Sequence, residues 1–506
     1  MKRILIQCGD NLENRLRVLS LAERLKAWGA EPVVAVYTRP YASLFQAFGI
    51  EALPLFASRN PSSRLDRHHP FDFSLQKLDL FPLEREKARL AGESFDAGRA
   101  FAATRRALVA VDRVVKREAI DELIVWNGHT GAVANAMRCY KLARQMGGGF
   151  IERGLIKDAT IFDRHGVNGA SSMALGQNPL PRKEREGLLA KHMEALQYYF
   201  PSLNEKVFRE STQDARRRRI LVPLQVQRDS NIILYSEKIK SMRRLVLEAI
   251  RLRRNLGQDW DVVVRPHPEE VPDELPNIPV DPHVKIDSET SLNAQLAESL
   301  AVLTVNSTVG LEAAFAGCVP IVFGEGVYCR EPFVLRAQDG SVCGEKIQTW
   351  GEDRPAHFEK VAVYLARLLD NHQLQPVDGR RSEAEGLRND MHLSGDDADF
   401  ALPTAQSVTL SQEARSRLGK ENRPLIVHAI DLASSRVNET YRDINVPISR
   451  QSIERAIRLQ LGEWSIELSP VREPAAGDVA VIGPKISPTA CSKYSVIMDH
   501  TGAVRN

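Results

Sequence analysis

The chain has 506 residues, 43% hydrophobic and 26% charged, with a formal net charge of +3. That is the composition of an ordinary globular protein of about three domains. The small net charge speaks against nucleic-acid binding, and no apolar run approaches the roughly 18 residues of a membrane span.

The first residues read strand, loop, helix, strand: "RILIQ", "CGDN", the amphipathic "LENRLRVLSLAERLKAWG", then "PVVAVY". Gly29 stands where a left-handed helix cap is wanted, and the whole is a βαβ unit that predicts a parallel sheet. The basic start is followed by too short an apolar run for a signal peptide, which predicts a cytoplasmic protein. Asp66, His68, His69 and Asp72 in "DRHHPFD" are metal-ligand types without ligand spacing, so no metal is expected. A helix is predicted from about Ser94 to Glu118, then the strand "ELIVW" running into "NGHTG". "GGGFIERG" carries the next strand to a polar end at Glu152. Arg216–Arg219 reads as a solvated strand entry, with contact to an anionic membrane face or an acidic substrate as the sharper alternative.

A second α/β series starts near Ile220. Two apolar stretches of strand composition, "ILVPL" and "NIILYS", flank the polar "QVQRDS", and a helix from about Glu237 to Leu256 follows. "DVVVRPHP", "AVLTVNSTVGLEAAFAGCVPIVFG" and the helix "HFEKVAVYLARLLDN" complete it. Alternating strands and helices predict an α/β fold of two Rossmann-like domains facing a cleft, over 1–215 and 216–375. The Asp-, Gly-, Ser- and Arg-rich stretch 376–404 reads as a linker. Residues 405–506, with "PLIVHAIDL", "SIERAIRLQLG", "WSIELSP" and "DVAVIGP", read as a small further α/β segment. The six cysteines lack CxxC spacing and fit reduced, mostly buried thiols.

Five polar clusters fall just past predicted strands, where open α/β sheets bind ligands. They are Asn127-Gly128-His129, Glu152-Arg153-Gly154, Gln225 to Ser230, Arg265 to Pro268, and Asn306-Ser307-Thr308. Ser307 or Thr308 can cap the helix that follows, with Glu312 in its first turn, leaving backbone N–H groups suited to a phosphate; an ordinary structural cap is the plain alternative. His267, flanked by prolines, would be rigidly held and could balance the charge of a phosphate leaving group. Glu152 and Asp229 could serve as base and nucleophile in glycosyl transfer, with Asp163 a third candidate beside a tight loop at Asn168. A salt bridge or turn acid is the plain alternative for each. No GxSxG, GxGxxG or Walker loop is present.

"FIERGLIKDATIFDRHGVNGASS", "LVPLQVQRDSN", "RPHP" and "VNSTVGLEAAFAGCVPIVFG" occur in the order of the capsule polysaccharide biosynthesis (KpsC/KpsS-like) family, and the chain resembles that family, which includes retaining β-Kdo glycosyltransferases of the WbbB type. The resemblance implies a GT-B-like enzyme moving Kdo or a related 2-keto sugar acid from a CMP-activated donor to a glycan or lipid-linked glycan in bacterial surface polysaccharide synthesis. It implies a cytoplasmic place with room for peripheral contact with the inner membrane, and no cofactor. By position, Glu152 matches the acid of the family's E-x-G motif and Asp229 that of its Q-x-x-x-D motif. His267 matches the HP histidine, Ser307 and Thr308 the small hydroxyl residues near the nucleotide phosphate, and Asp163 the aspartate before GVN. Gln227 departs from the acid often found there, and the tail after 405 leaves open a larger multi-transferase polypeptide. A transferase of another nucleotide sugar and a non-catalytic capsule export scaffold are the rival expectations.

Overall fold

The computed structural model describes residues 1–9, 12–37, 42, 45–46, 49–56, 81–155, 160–176, 180–199, 218–227, 229–267, 281–337, 347, 354–369, 373–374 and 391–393, with five strands beyond residue 424. The 66–72 cluster, Arg216, Arg217 and Pro268 lie outside the described residues. Among the described residues no helix is long and apolar enough to cross a membrane.

The first domain is built on one sheet. Its strands are β1 (Arg3–Gln7), β2 (Glu31–Val36), β3 (Glu51–Pro54), β4 (Glu122–Trp126), β5 (Gly147–Arg153) and β6 (Thr160–Asp163), in the order β3-β2-β1-β4-β5-β6. All are parallel except β6. Successive residues of a strand face opposite ways, and both faces are covered. Ile4, Ile6 and Val34 pack with Val18, Leu21 and Leu25 of α1 (Leu12–Ala27). Leu5, Val33, Leu123 and Val125 pack on the other side with Leu108 and Val111 of α3 (Ala97–Arg117) and Met137 and Tyr140 of α4 (Gly131–Ala143). A shorter helix, α2 (Pro82–Ala91), precedes α3 and ends at Gly92, whose φ of 69° is the left-handed cap glycine favours. Asp96 starts α3 by accepting from the Arg99 amide at 2.9 Å.

The second domain repeats the plan. Its strands are β7 (Arg219–Pro223), β8 (Asp261–Arg265), β9 (Val284–Ile286), β10 (Ala301–Thr304), β11 (Val319–Val322) and β12 (Leu335–Arg336), all parallel in the order β9-β8-β7-β10-β11-β12. This is the doubly wound nucleotide-binding order. Ile220, Val222, Val262 and Leu303 pack with Leu245, Val246 and Ala249 of α7 (Met242–Leu256). Leu221, Val263 and Val302 pack with Leu296 of α8 (Leu292–Ala297) and Ala313 of α9 (Val309–Phe315). The two domains meet across a cleft in the GT-B-like manner expected, where α6 (Ser230–Tyr235) lies against α2 and against a 3-10 turn at Asn168–Ala170.

Three expectations change. "NIILYS" has strand composition, yet Ser230–Tyr235 is helical; the Asp229 side chain accepts from the Asn231 amide, and this cap plus burial of Ile232 and Ile233 overrides β-propensity. The boundary near 215 assigns α5 (Arg182–Tyr199) to the first domain, but its Leu196 joins the second domain's core and Arg185 pairs with Glu359 of α10 (Arg354–Arg367) at 2.9 Å. The second domain does not keep all of 216–375, nor is 376–404 a bare linker. β13 (Gln373–Leu374) joins the first sheet antiparallel to β6, Met391 is buried in the first domain's core, and its carbonyl accepts from Lys2 Nζ at 2.9 Å.

The tail holds a third sheet of β14 (Leu425–Ile430), β15 (Ile466–Leu468), β16 (Val479–Ile482), β17 (Val496–Asp499) and β18 (Val504–Arg505), ordered β15-β14-β16-β17-β18 and parallel except for β18. The expected helix "SIERAIRLQLG" lies outside the described residues.

Candidate functional site

In a doubly wound sheet the crevice for ligands opens beyond the carboxyl ends of the strands, where the winding reverses. That reversal falls between β1 and β4 in the first sheet and between β7 and β10 in the second.

The first domain brings Asn127 and Glu152 together at the ends of neighbouring strands β4 and β5. Asn127 holds φ at 55°. Its Oδ1 accepts from the His129 amide and the Thr130 hydroxyl, and its Nδ2 donates to Glu152 Oε2 at 2.6 Å. Glu152 Oε1 accepts from the Arg153 amide at 3.0 Å. Burial pushes the Glu152 carboxyl above its ordinary value and the charge of Asp229 adds to that; the Asn127 and Arg153 contacts pull the other way.

Asp163 has a different setting. It is buried, and five donors converge on it: the His165 and Gly166 amides on Oδ1, and the Ser171 hydroxyl, Ser172 amide and Ser172 hydroxyl on Oδ2. With both oxygens so engaged, Asp163 is the anchor of the GVN turn. Asn168, at φ 55°, opens the 3-10 turn that meets the second domain.

In the second domain the polar strand ends mostly hold one another. Gln225 bridges the reversal point: its Nε2 donates to Asn306 Oδ1 at 3.1 Å, while its Oε1 accepts from the Asn306 amide and the Thr304 hydroxyl. Asn306 Nδ2 then donates to the carbonyls of Asn231 and Glu325. Gln227 ties its loop to the start of α7 through Lys240 O and the Met242 amide. Arg265 donates to Thr290 O and to Gln295 Oε1 at 2.9 Å. Gln225 and Arg265, expected to touch substrate, each hold hydrogen bonds to other segments of the second domain. The α9 cap falls to Ser307, whose Oγ accepts from the Val309 amide at 3.3 Å; Thr308 makes no capping bond with its side chain and stays exposed. Glu312 keeps much of its surface exposed, while the protein around it raises its carboxyl above the usual range.

Asp229 is the exception. Its Oδ1 accepts from the Asn231 amide at 2.8 Å and, more distantly, from the Ser230 hydroxyl at 3.5 Å. No described residue donates to its Oδ2. Burial raises its carboxyl above the ordinary value, against the Asn231 amide, His267, Lys87 and Ser230. Lys87 lies on α2 of the first domain and His267 just past β8 of the second. Asp229 thus feels charges from both sides of the cleft, and Glu152 feels Asp229.

Three residues near this point were not singled out from the sequence: Lys87, Arg138 and Tyr235. Lys87 sits in "PLEREKARLA", where nothing separates it from its charged neighbours, and Tyr235 is hidden by the strand composition of "NIILYS".

Residues 181–332, less than a third of the chain, match the family model described as "Capsule polysaccharide biosynthesis protein". Protein FixF of Sinorhizobium fredii (strain NBRC 101917 / NGR234) is 28% identical over 120 residues, 24% of this chain and 30% of that protein, so the chain spans under a third of this relative's length. Among solved structures the chain is similar to a Thermosulfurimonas dismutans KpsC beta Kdo 2,7 transferase, with a TM-score of 0.35 and 18% identity over 63% of this chain and 97% of that one. For the KpsC beta Kdo 2,4 transferase of the same organism the TM-score is 0.32 and the identity 17%, over 49% and 80%. A putative UDP-N-acetylglucosamine 2-epimerase from Listeria monocytogenes gives 0.31 and 11%, over 73% and 96%. The part of the chain that carries Gln225, Asp229, His267 and Ser307 is, in sequence, similar to capsule polysaccharide biosynthesis proteins.

Proposed function

We propose that the chain is a retaining glycosyltransferase that moves Kdo, or a related 2-keto sugar acid, from a CMP-activated donor to a glycan or lipid-linked glycan acceptor. The observation that carries this reading is that Glu152 and Asp229, from opposite domains, lie within electrostatic reach of each other, each with its carboxyl raised by burial and Asp229 with one oxygen that no described residue engages. Asp229 attacks the anomeric carbon and expels CMP, whose phosphate takes a hydrogen bond from His267; the sugar is then held as an ester of Asp229. Glu152 removes the proton of the acceptor hydroxyl as that oxygen attacks the same carbon and releases Asp229. Two inversions give retention. A carboxylate whose acid form is favoured by burial is a stronger base and nucleophile once ionised, which suits both roles. The donor class is supported by the motifs around Glu152, Asp229 and His267 and by the family match over 181–332.

The test uses the full chain with CMP-activated Kdo and a panel of methyl glycosides, read by mass spectrometry. Donor alone should leave a sugar adduct on Asp229, and Asp229→Asn should lose transfer by several powers of ten while still binding CMP. An adduct on another residue, or full activity in Asp229→Asn, would overturn the assignment. Stabilisation by UDP or GDP in place of CMP would change the donor.

A further inference from the structure

Tyr235 closes the short helix that Asp229 opens, so one turn and a half of chain carries both to the cleft. Its ring lies on the first domain. A Cβ added to Gly169 would stand 2.5 Å from the ring's Cδ1 and Cγ, so only glycine leaves room for this contact. The Tyr235 carbonyl accepts from the Glu325 amide at 2.7 Å, which fixes the residue's backbone to the second domain. The hydroxyl lies within electrostatic reach of Glu152 and Arg138, both of the first domain, and burial pushes it up to about 12, so it remains a proton donor. Among the described residues it has no hydrogen-bond partner. A half-buried donor within electrostatic reach of the base, with its ring seated on the Gly169 turn of the opposite domain, is placed to meet a ligand rather than to hold the fold.

We propose that Tyr235 reads the acceptor: with its ring docked on the Gly169 turn, its hydroxyl donates a hydrogen bond to the acceptor sugar beside the hydroxyl that Glu152 deprotonates. The acceptor subsite is then complete only when the two domains meet, and transfer to a sugar outruns transfer to water. This rests on the transferase reading above.

The experiment compares full-length wild type, Tyr235→Phe and Gly169→Ala, using the methyl glycoside that wild type uses best, and follows transfer and donor hydrolysis in the same reaction. Tyr235→Phe keeps the ring, so hydrolysis and CMP affinity should hold while the acceptor KM rises about tenfold, the value of one lost hydrogen bond. Gly169→Ala forces its methyl against the ring and should lower both transfer and hydrolysis. Adding Tyr235→Ala to it should restore hydrolysis without restoring the acceptor KM. Unchanged acceptor KM in Tyr235→Phe, with wild type active, overturns this proposal alone. A wild type that turns over no CMP-activated sugar acid overturns the transferase reading with it.

Discussion

Glu152 and Asp163 lie on adjacent strands of one sheet, Glu152 one residue before the end of β5 and Asp163 at the end of β6. They differ in what surrounds them. Asp163 collects five donors and locks a turn, whereas Glu152 collects two and is pushed towards its neutral form by burial. A buried carboxylate surrounded by donors is scaffold; one left short of them keeps capacity for a proton. The number of donors, not the residue type, separates the two roles.

The largest effect that would break this comparison is in catalysis. Glu152→Gln should lower transfer by about 10²–10⁴-fold, the usual worth of a positioned base, with CMP affinity intact by calorimetry. A comparable loss in Asp163→Asn without any change in stability would erase the distinction.

Next comes stability. Asp163→Asn turns one oxygen into a donor and leaves at least one backbone amide without its acceptor, Ser172 if Oδ2 is replaced or His165 and Gly166 if Oδ1 is, at about 1–3 kcal/mol each. Denaturant unfolding should show that loss, and Glu152→Gln should show much less.

The smallest effect is in pH dependence. The folded state holds a proton on Glu152 more readily than the unfolded chain does. Its contribution to stability is therefore fully present below the ordinary Glu value of 4.5 and is lost as pH rises through the higher folded value. Thermal unfolding against pH should show a decline over that window in wild type and a flatter profile in Glu152→Gln. The acid limb of kcat/KM should likewise lie above the usual carboxylate range.

Much of this arrangement was legible in the residues. Apolar runs such as "RILIQ" and "DVVVR" mark strands buried on both faces, and a polar residue after each marks a strand end at the cleft. Residue identity could not separate groups that serve the cleft from groups that serve each other. Gln225, Asn306 and Arg265 sit where ligand contacts were expected, but their hydrogen bonds close on other parts of the second domain. Such pairings join residues 30 positions apart for Arg265 and Gln295 and 81 for Gln225 and Asn306, and no local pattern encodes them. The same reason hid Lys87, whose position is set by the docking of α2 on α6, and the domain assignment of α5, which follows from packing on α10.

The chain passes between the domains twice, once between Gly176 and Arg182 and again between Leu369 and Gln373. Two covalent connections therefore join the domains instead of one. A single cord would let the halves swivel like a ball on a string. Two cords resist twisting and leave an opening-and-shutting movement as the softest one, as in a book whose spine is sewn at two stations. Any ligand squeezed between the covers would meet the same pages in the same register at every closing.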